Sequence, residues 1–563
     1  MMSISIENST GYQHISVLTG HIVDPLNSRL YSGTIRIANG RITDIEEHSV
    51  SSSAPYIMPG FIDAHIHIES SMLIPSEFAR MAVIHGTVGT ISDPHEIANV
   101  LGIDGVRYMI ANSKKTPLHI CFGAPSCVPA TSFETAGATI TAEDIRTLFV
   151  EDGLLYLSEM MNYPGVLFHS PEVMEKIAIA HELHRPVDGH APGLCGEDAR
   201  RYAEAGISTD HECFTLEEAL DKLSVGMHIL IREGSAAKNF SALHSLISSH
   251  TDHVMLCSDD KHPNELAIGH INEVVRRAVQ AGHAPMDVLR CASVNPVLHY
   301  RMPVGLLQVG DQADCIVVDS LTEFRVLQTY LSGYLVAENG VSYIPHVSAE
   351  EPNNFHVESI TDEALRVVSA SPHHDGEMVD VRVIESYDGQ LITGEYHHSL
   401  VYRDGSIQTN IDEDILKIVV VNRYQKNAVP AVGFIKNIGL QRGAIASCVA
   451  HDSHNIIAVG VNDTDICHAI NAVIAARGGI SLADGGIIDI LSLPVAGIMS
   501  ADEGIHVAEN YARLDAGAKA LGSPLSAPYM TLSFMGLLVI PRLKMSDLGL
   551  FDGGGFHFTP VCV

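Results

Sequence analysis

The sequence predicts an α/β protein. Its centre is a closed barrel of alternating strands and helices, with a small β domain built from both flanks and a further mixed domain behind. Three observations predict it. Eight apolar runs recur through residues 56–303, each ending in polar residues. Two alike β-rich stretches, 13–50 and 304–344, bracket that region. A polar, proline-containing stretch, HVSAEEPNNF at 346–355, then separates a third region.

The first flank reads HISVLTGHIVDP and then GTIRIANGRITDIEE, with Val, Ile and Thr alternating with polar residues and Asn39-Gly40 as a hairpin turn. The second reads VGLLQVGDQADCIVVDS and VLQTYLSGYLVAENGVSYI, with Asn339-Gly340 in the same role. Residues 1–55 and 304–345 are therefore expected to make one small β-sandwich domain. The span between them, 56–303, has the length of a (β/α)8 TIM barrel. Its eight runs are IMPGFIDAHIH, TVGTISDPHE, HICFGAPSC, LLYLSEMM, RPVDGHAPG, GISTDHE, GMHILIREG and VMLCSDD. Helix-like stretches such as SPEVMEKIAIAHELH and NEVVRRAVQAG separate several of them, as right-handed parallel crossovers require. Residues 346–563 carry strand-like DVRVIES and ILKIVVVNRY and helix-like DICHAINAVIAAR, an α/β or α+β domain.

Composition excludes several classes. With 34 Lys and Arg against 67 Asp and Glu, the net charge is −33. Such a surface repels nucleic acid and anionic membrane, whereas a small neutral or cationic substrate remains compatible with it. The ten cysteines form no CxxC pair and read as reduced, mostly buried thiols. Met1 to Leu18 has no basic stretch followed by an apolar core, so no signal peptide is expected. The best apolar run, Met530 to Ile540, stops at Pro541-Arg542, short of a membrane span. A cytoplasmic protein is expected, forming a homo-oligomer, a dimer or larger.

The 32 histidines matter through their placement. Reacting groups of a barrel gather at the C-terminal ends of its strands. The eight runs end in His65 and His67, Asp93-Pro94-His95-Glu96, Ser126-Cys127, Glu159, His190, His211-Glu212, Arg232-Glu233 and Asp259-Asp260. Taken singly, each histidine reads as a hydrogen-bonded core or surface residue. As a set, imidazoles and carboxylates at successive strand ends are what divalent transition metals bind. His65 and His67, two apart on a strand, face the same side. Six ligands including a bridging carboxylate allow two metals about 3.5–4 Å apart.

The ordered motifs MPGFIDAHIHIE and CSDD resemble the amidohydrolase superfamily. SDPHEI, PSCVPAT, LSEMMNYPGV, DGHAPG, TDHE and the C-terminal ASCVAHDSHNIIAVG are, within it, similar to the bacterial-type adenine deaminases, and the likeness runs the whole length. The resemblance implies hydrolysis of free adenine to hypoxanthine and ammonia in purine salvage, with two divalent metal ions, Mn2+ or Fe2+. It places His65, His67 and Asp259 on the first metal, His190 and His211 on the second, and Glu159 as the bridge. Glu159 stands where many two-metal relatives place a carboxylated lysine, which separates this chain from openers of cyclic amides.

The chemistry agrees. A metal lowers the pKa of water toward about 7 and supplies hydroxide to attack C6. Asp259 can carry the proton to the departing amine. Ring-nitrogen protonation needs another acid, because Gly193 stands where adenosine deaminases carry a glutamate; Glu96, Glu69 and Glu212 are the candidates. For substrate binding the candidates are His95, Ser126, Cys127, Arg232, His451 and His454. Each has a plainer reading: His95 with Glu96 at a helix start, Cys127 as packing, Arg232 paired with Glu233, His451 and His454 in a histidine-rich turn. Asp260 is expected to point away from Asp259 if the strand persists. The alternative functions are an amidohydrolase acting on a cyclic amide or a different aminated nucleobase, and a non-catalytic metal scaffold. The zinc deaminases that edit nucleic acid are excluded by the missing P-C-x-x-C.

Overall fold

The computed structural model describes residues 13–369 and 371–563; the first twelve residues of the expected small β domain lie outside them. All eight apolar runs form parallel strands. Phe61–Ile66, Thr87–Ser92, His119–Ala124, Tyr156–Met160 and Val187–Gly189 make one curled arc. Thr209–Asp210, His228–Arg232 and Val254–Cys257 make a second. Single parallel bridges join the arcs at both seams, Ile66 to Asp259 and Val187 to Ile207. Both faces of these strands are buried, which is why they read as continuous apolar runs rather than alternating ones.

The helices between them show the expected one-sided burial. Ile271–Gln280 buries Ile271, Val274, Val275 and Ala278, one stripe at helical spacing. Ala142–Val150 starts at a capping box in which Thr141 accepts from the Asp144 amide and Asp144 accepts in return.

Strands from both flanks lie in one continuous hydrogen-bonded sheet of nine strands, rather than in two separately bonded layers. Tyr56–Pro59 is central, pairing antiparallel with Cys315–Val318 and parallel with Val17–Asp24, so the two flanks meet inside the sheet. Its own core gathers Ile22, Ile35, Ile57, Val317 and Tyr330. Both Asn-Gly turns have positive φ at each residue, 51° and 76° for Asn39 and Gly40 and 49° and 80° for Asn339 and Gly340. That left-handed pair matches the twist of a tight hairpin, and Asn and Gly tolerate it best.

Beyond the linker a second nine-stranded sheet is mostly antiparallel, with Met378–Glu385 and Ala431–Lys436 as a parallel pair. Asp463–Ala476, capped by Asn462, covers one face. On the other face Ile418, Val420 and Ile435 join the same apolar core as the ring. The C-terminal segment is thus packed onto the ring, and residues of its loops, among them Leu391, His451 and Leu537, line the cavity at the mouth. Truncating a residue in that shared core, Ile418→Ala for example, costs about 2–5 kcal/mol. Among the described residues no helix is long and apolar enough to cross a membrane.

Candidate active site

Six of the histidine and carboxylate ends converge. His65 closes the strand Phe61–Ile66 and the chain stays extended through His67, so both imidazoles face one side with their Nε2 atoms 3.3 Å apart. Glu159, on Tyr156–Met160, stands between two groups of rings. Its Oε1 lies 3.3 Å from His67 Nε2, and its Oε2 lies 2.6 Å from His190 Nδ1 and 3.1 Å from His211 Nε2. Asp259 Oδ1 lies 3.1 Å from His67 Nε2 and 3.5 Å from His65 Nε2.

Asp259 reaches this place because its strand ends at Cys257. Ser258 is held by Asp63 and Asp259 turns into the left-handed region at φ 55°, its amide donating to the His65 carbonyl at 2.9 Å. The same turn corrects the expected direction of Asp260. It does not point away but lines the same cavity, accepting from Ser70 Oγ at 2.5 Å. Alternation of side chains holds only while a strand continues.

The Arg232 guanidinium pairs with both Glu212 and Asp259, while Glu233 pairs with Arg277 instead of its neighbour. Arg232 and Glu233 follow each other on an extended chain and so cannot share a side. His95 also enters the cluster, its Nδ1 3.0 Å from Asp93 Oδ2 and 3.5 Å from Glu159 Oε1. Glu96 is paired by His451 and His454, which come from the C-terminal segment. Asp452 stands 3.8 Å from His95 Nε2. Asp452, expected with His451 and His454 as one polar cluster able to close over the mouth, thus stands beside the ring's His95, and Asp93, for which the sequence offered no role beyond its place in SDPHE, joins His67, His95 and Glu159.

Three candidates stay outside. Ser126 donates to the Glu159 carbonyl at 2.5 Å, and with Cys127 it lines a separate cavity beside Lys176. The strand His119–Ala124 has ended before this pair, which instead contacts the Glu159 strand, Ser126 through the Glu159 carbonyl and Cys127 through Met160 Sδ at 3.8 Å. Glu69 is buried off the cavity, its Oε1 accepting from the Ile97 amide at 3.3 Å.

Burial governs the electrostatics. It would push the Glu159 pKa up, but His190, His211 and His67 hold it well below the usual range. Burial likewise opposes ionisation of Asp259, and Arg232 with His65 and His67 overrides it. For Glu96 the overriding partners are His451, His454 and His95. His451 is lowered by burial and raised more strongly by Glu96 and Asp260, to about 9. Burial raises Glu69 to about 7.

The residues fit a metal. His65, His67 and Asp259 offer ligand atoms within 4.8 Å of one another, as do His65, Glu159 and His211. His190 Nε2 and His211 Nε2 are buried with no hydrogen-bond partner in the protein. Nitrogen and carboxylate donors of this kind suit divalent transition metals. The cavity is tight, with about 20 Å3 of free space, and is completed by Leu391, Phe534 and Leu537.

Comparison with known proteins gives concordant findings. Residues 56–336 match the model of the amidohydrolase family, and residues 390–557 match that of the adenine deaminase C-terminal domain. The chain is 51% identical to the adenine deaminase of Salinibacter ruber over 96% of its own length and 98% of that protein's. It is 52% identical to that of a Sulfurovum species over 97% and 99%, and 48% identical to that of Methanosarcina mazei over 96% and 98%.

Proposed function

The chain belongs to the adenine deaminase family, and we propose that it hydrolyses free adenine to hypoxanthine and ammonia at the cavity just described. His65, His67 and Asp259 would hold one divalent cation and His190 and His211 a second, with Glu159 able to serve both; Mn2+ or Fe2+ suits such donors. The observation that carries this reading is the split of Glu159, one oxygen on His67 and the other on His190 and His211. Bound there, the cations supply hydroxide at neutral pH by lowering the pKa of water toward about 7.

The chain's own groups do the rest. Arg232 ties down Asp259 Oδ2 and leaves Oδ1 facing His65 and His67. Asp259 takes the proton of the attacking water and returns it to the exocyclic nitrogen, so that oxygen is added at C6 and ammonia departs. Of the three candidates for the ring nitrogen, Glu96 is favoured because it lines the cavity; held ionised by its histidines, it would relay to the ring nitrogen the proton of the His451 imidazolium with which it pairs. Glu212 is occupied by Arg232, and Glu69 lies outside. His95, His451 and His454 shape the base-binding side.

The same reading divides the chain into a small β domain (1–55 with 304–345), a closed (β/α)8 catalytic barrel (56–303) and a C-terminal domain (346–563). It makes the protein a cytoplasmic homo-oligomer; ten free cysteines, eight of them buried, support a reducing compartment. Purified protein loaded with Mn2+ or Fe2+ is expected to release ammonia from adenine. No turnover by metal-replete protein overturns the proposal.

A further inference from the structure

The roof of the cavity comes from segments far from the ring in sequence. Leu391, Phe534 and Leu537 supply its apolar part, 3%, 2% and 4% exposed. The Phe534 ring stacks on His451 with centroids 5.1 Å apart at 24°, and His451 in turn pairs with Glu96. The roof is therefore continuous with the residues that face the substrate.

Two of these roof residues are held through their backbones by one side chain. Lys544, fully buried on the strand Leu543–Ser546, donates to the Leu391 carbonyl at 2.5 Å and the Phe534 carbonyl at 2.9 Å. Burial pulls its pKa down to about 7. A neutral amine keeps two N–H donors, and two carbonyls take them. The neighbouring backbone is zipped to the same strand: Thr393 N donates to the Pro541 carbonyl at 3.0 Å, Arg542 N to the Thr393 carbonyl at 3.1 Å, and Thr393 Oγ1 to the Leu543 carbonyl at 2.8 Å. Lys544 is thus the tie between the 391 segment and the Phe534 turn, which approach the cavity from different parts of the C-terminal region.

We propose that Lys544 is a positioning residue that sets the height of the Leu391–Phe534–Leu537 roof, and that this roof restricts the site to bare bases by leaving no room for a substituent on N9. The inference rests on the adenine reading above. With the roof in this position the cavity holds only about 20 Å3 of free space, so any group carried beyond a flat base must displace Leu391, Phe534 or Leu537. Removing the amine leaves the buried Leu391 carbonyl without a donor and the Phe534 carbonyl with only the Leu537 amide at 3.2 Å, which unties the two segments and lifts the roof.

The test uses the full chain loaded with Mn2+, with adenine and 9-methyladenine as substrates. For Lys544→Met the KM for adenine is expected to rise about tenfold with kcat within about threefold, the signature of lost binding rather than lost chemistry. Preference for adenine over 9-methyladenine is expected to fall at least about tenfold in both Lys544→Met and Leu537→Ala. Lys544→Gln, which keeps two N–H donors on a shorter stem, is expected to recover part of the KM. Calorimetric binding of hypoxanthine to the metal-free protein, weakened in Lys544→Met, reads the roof independently of turnover. Unchanged KM and preference in a folded Lys544→Met, or a fall in kcat alone, overturns the proposal. Should that variant not fold, an unchanged preference in both Lys544→Gln and Leu537→Ala overturns it. Wild-type protein inactive on adenine would instead refute the functional reading, with hypoxanthine binding still reporting on the roof.

Discussion

Replacing Glu159 by glutamine changes one charge and almost no volume at the centre of the cluster. Both carboxylate oxygens face imidazoles, at 3.3 and 3.5 Å on one side and 2.6 and 3.1 Å on the other. A carboxylate between two cations would lend its single charge to both, and the amide takes that one charge away. At an effective dielectric of about 20, a unit pair about 4 Å apart is worth about 4 kcal/mol, near three decades of affinity. Glutamine escapes the cost of burying a charge, which offsets part of that and leaves one to two decades, roughly 10–100-fold, of weaker binding. Equilibrium dialysis of Glu159→Gln against buffered Mn2+, with metal counted per chain and ammonia release measured on the same samples, is the assay. Metal content and adenine turnover should fall together, and saturating Mn2+ should restore the first more than the second. Two metals per chain at wild-type free Mn2+ with full activity would refute the bridging role.

Three further outcomes are expected. In metal-free protein Arg232→Met leaves Glu212 and Asp259 buried without their guanidinium, a loss of about 3–5 kcal/mol that denaturant titration reads directly; an unchanged midpoint would show the pairing to be idle. Lys544 is a base whose folded pKa, about 7, lies below its ordinary 10.5, so the unfolded chain binds the extra proton between those values. Its contribution therefore destabilises fully below pH 7 and is relieved as pH rises toward 10.5, by about 5 kcal/mol at most. Subtracting the pH–stability curve of Lys544→Met from that of wild type should reveal this rise, and a flat difference would contradict the buried neutral amine. Asn462→Ala removes the cap that accepts from the Asp465 amide and should cost about 1 kcal/mol, seen as a lower urea midpoint with activity retained.

Much of the site was legible because barrel chemistry follows local rules. A strand end is readable from where an apolar run stops, and His65, His67, Glu159, His190, His211 and Asp259 all sit at such points. The Asn-Gly turns were equally local, set by two residues' tolerance of positive φ. Misreadings fell where the chain left its strand. Asp260 was assigned by alternation, but alternation ended at Cys257. Ser126 and Cys127 stand at a strand end like the others, yet the loop beyond it turns them toward Lys176 and a different cavity.

The residue types and spacing along the chain determined the eight strands, the donor set and, through its motifs, the family. Those are properties of segments a few residues long, where side-chain period and backbone preference act without distant help. Tertiary packing decided which charges meet: Arg232 with Glu212 and Asp259, Glu96 with His451 and His454, and the carbonyls of Leu391 and Phe534 on Lys544. A buried charge or carbonyl takes whichever partner the fold brings within about 3 Å, and separation in sequence carries no trace of that distance.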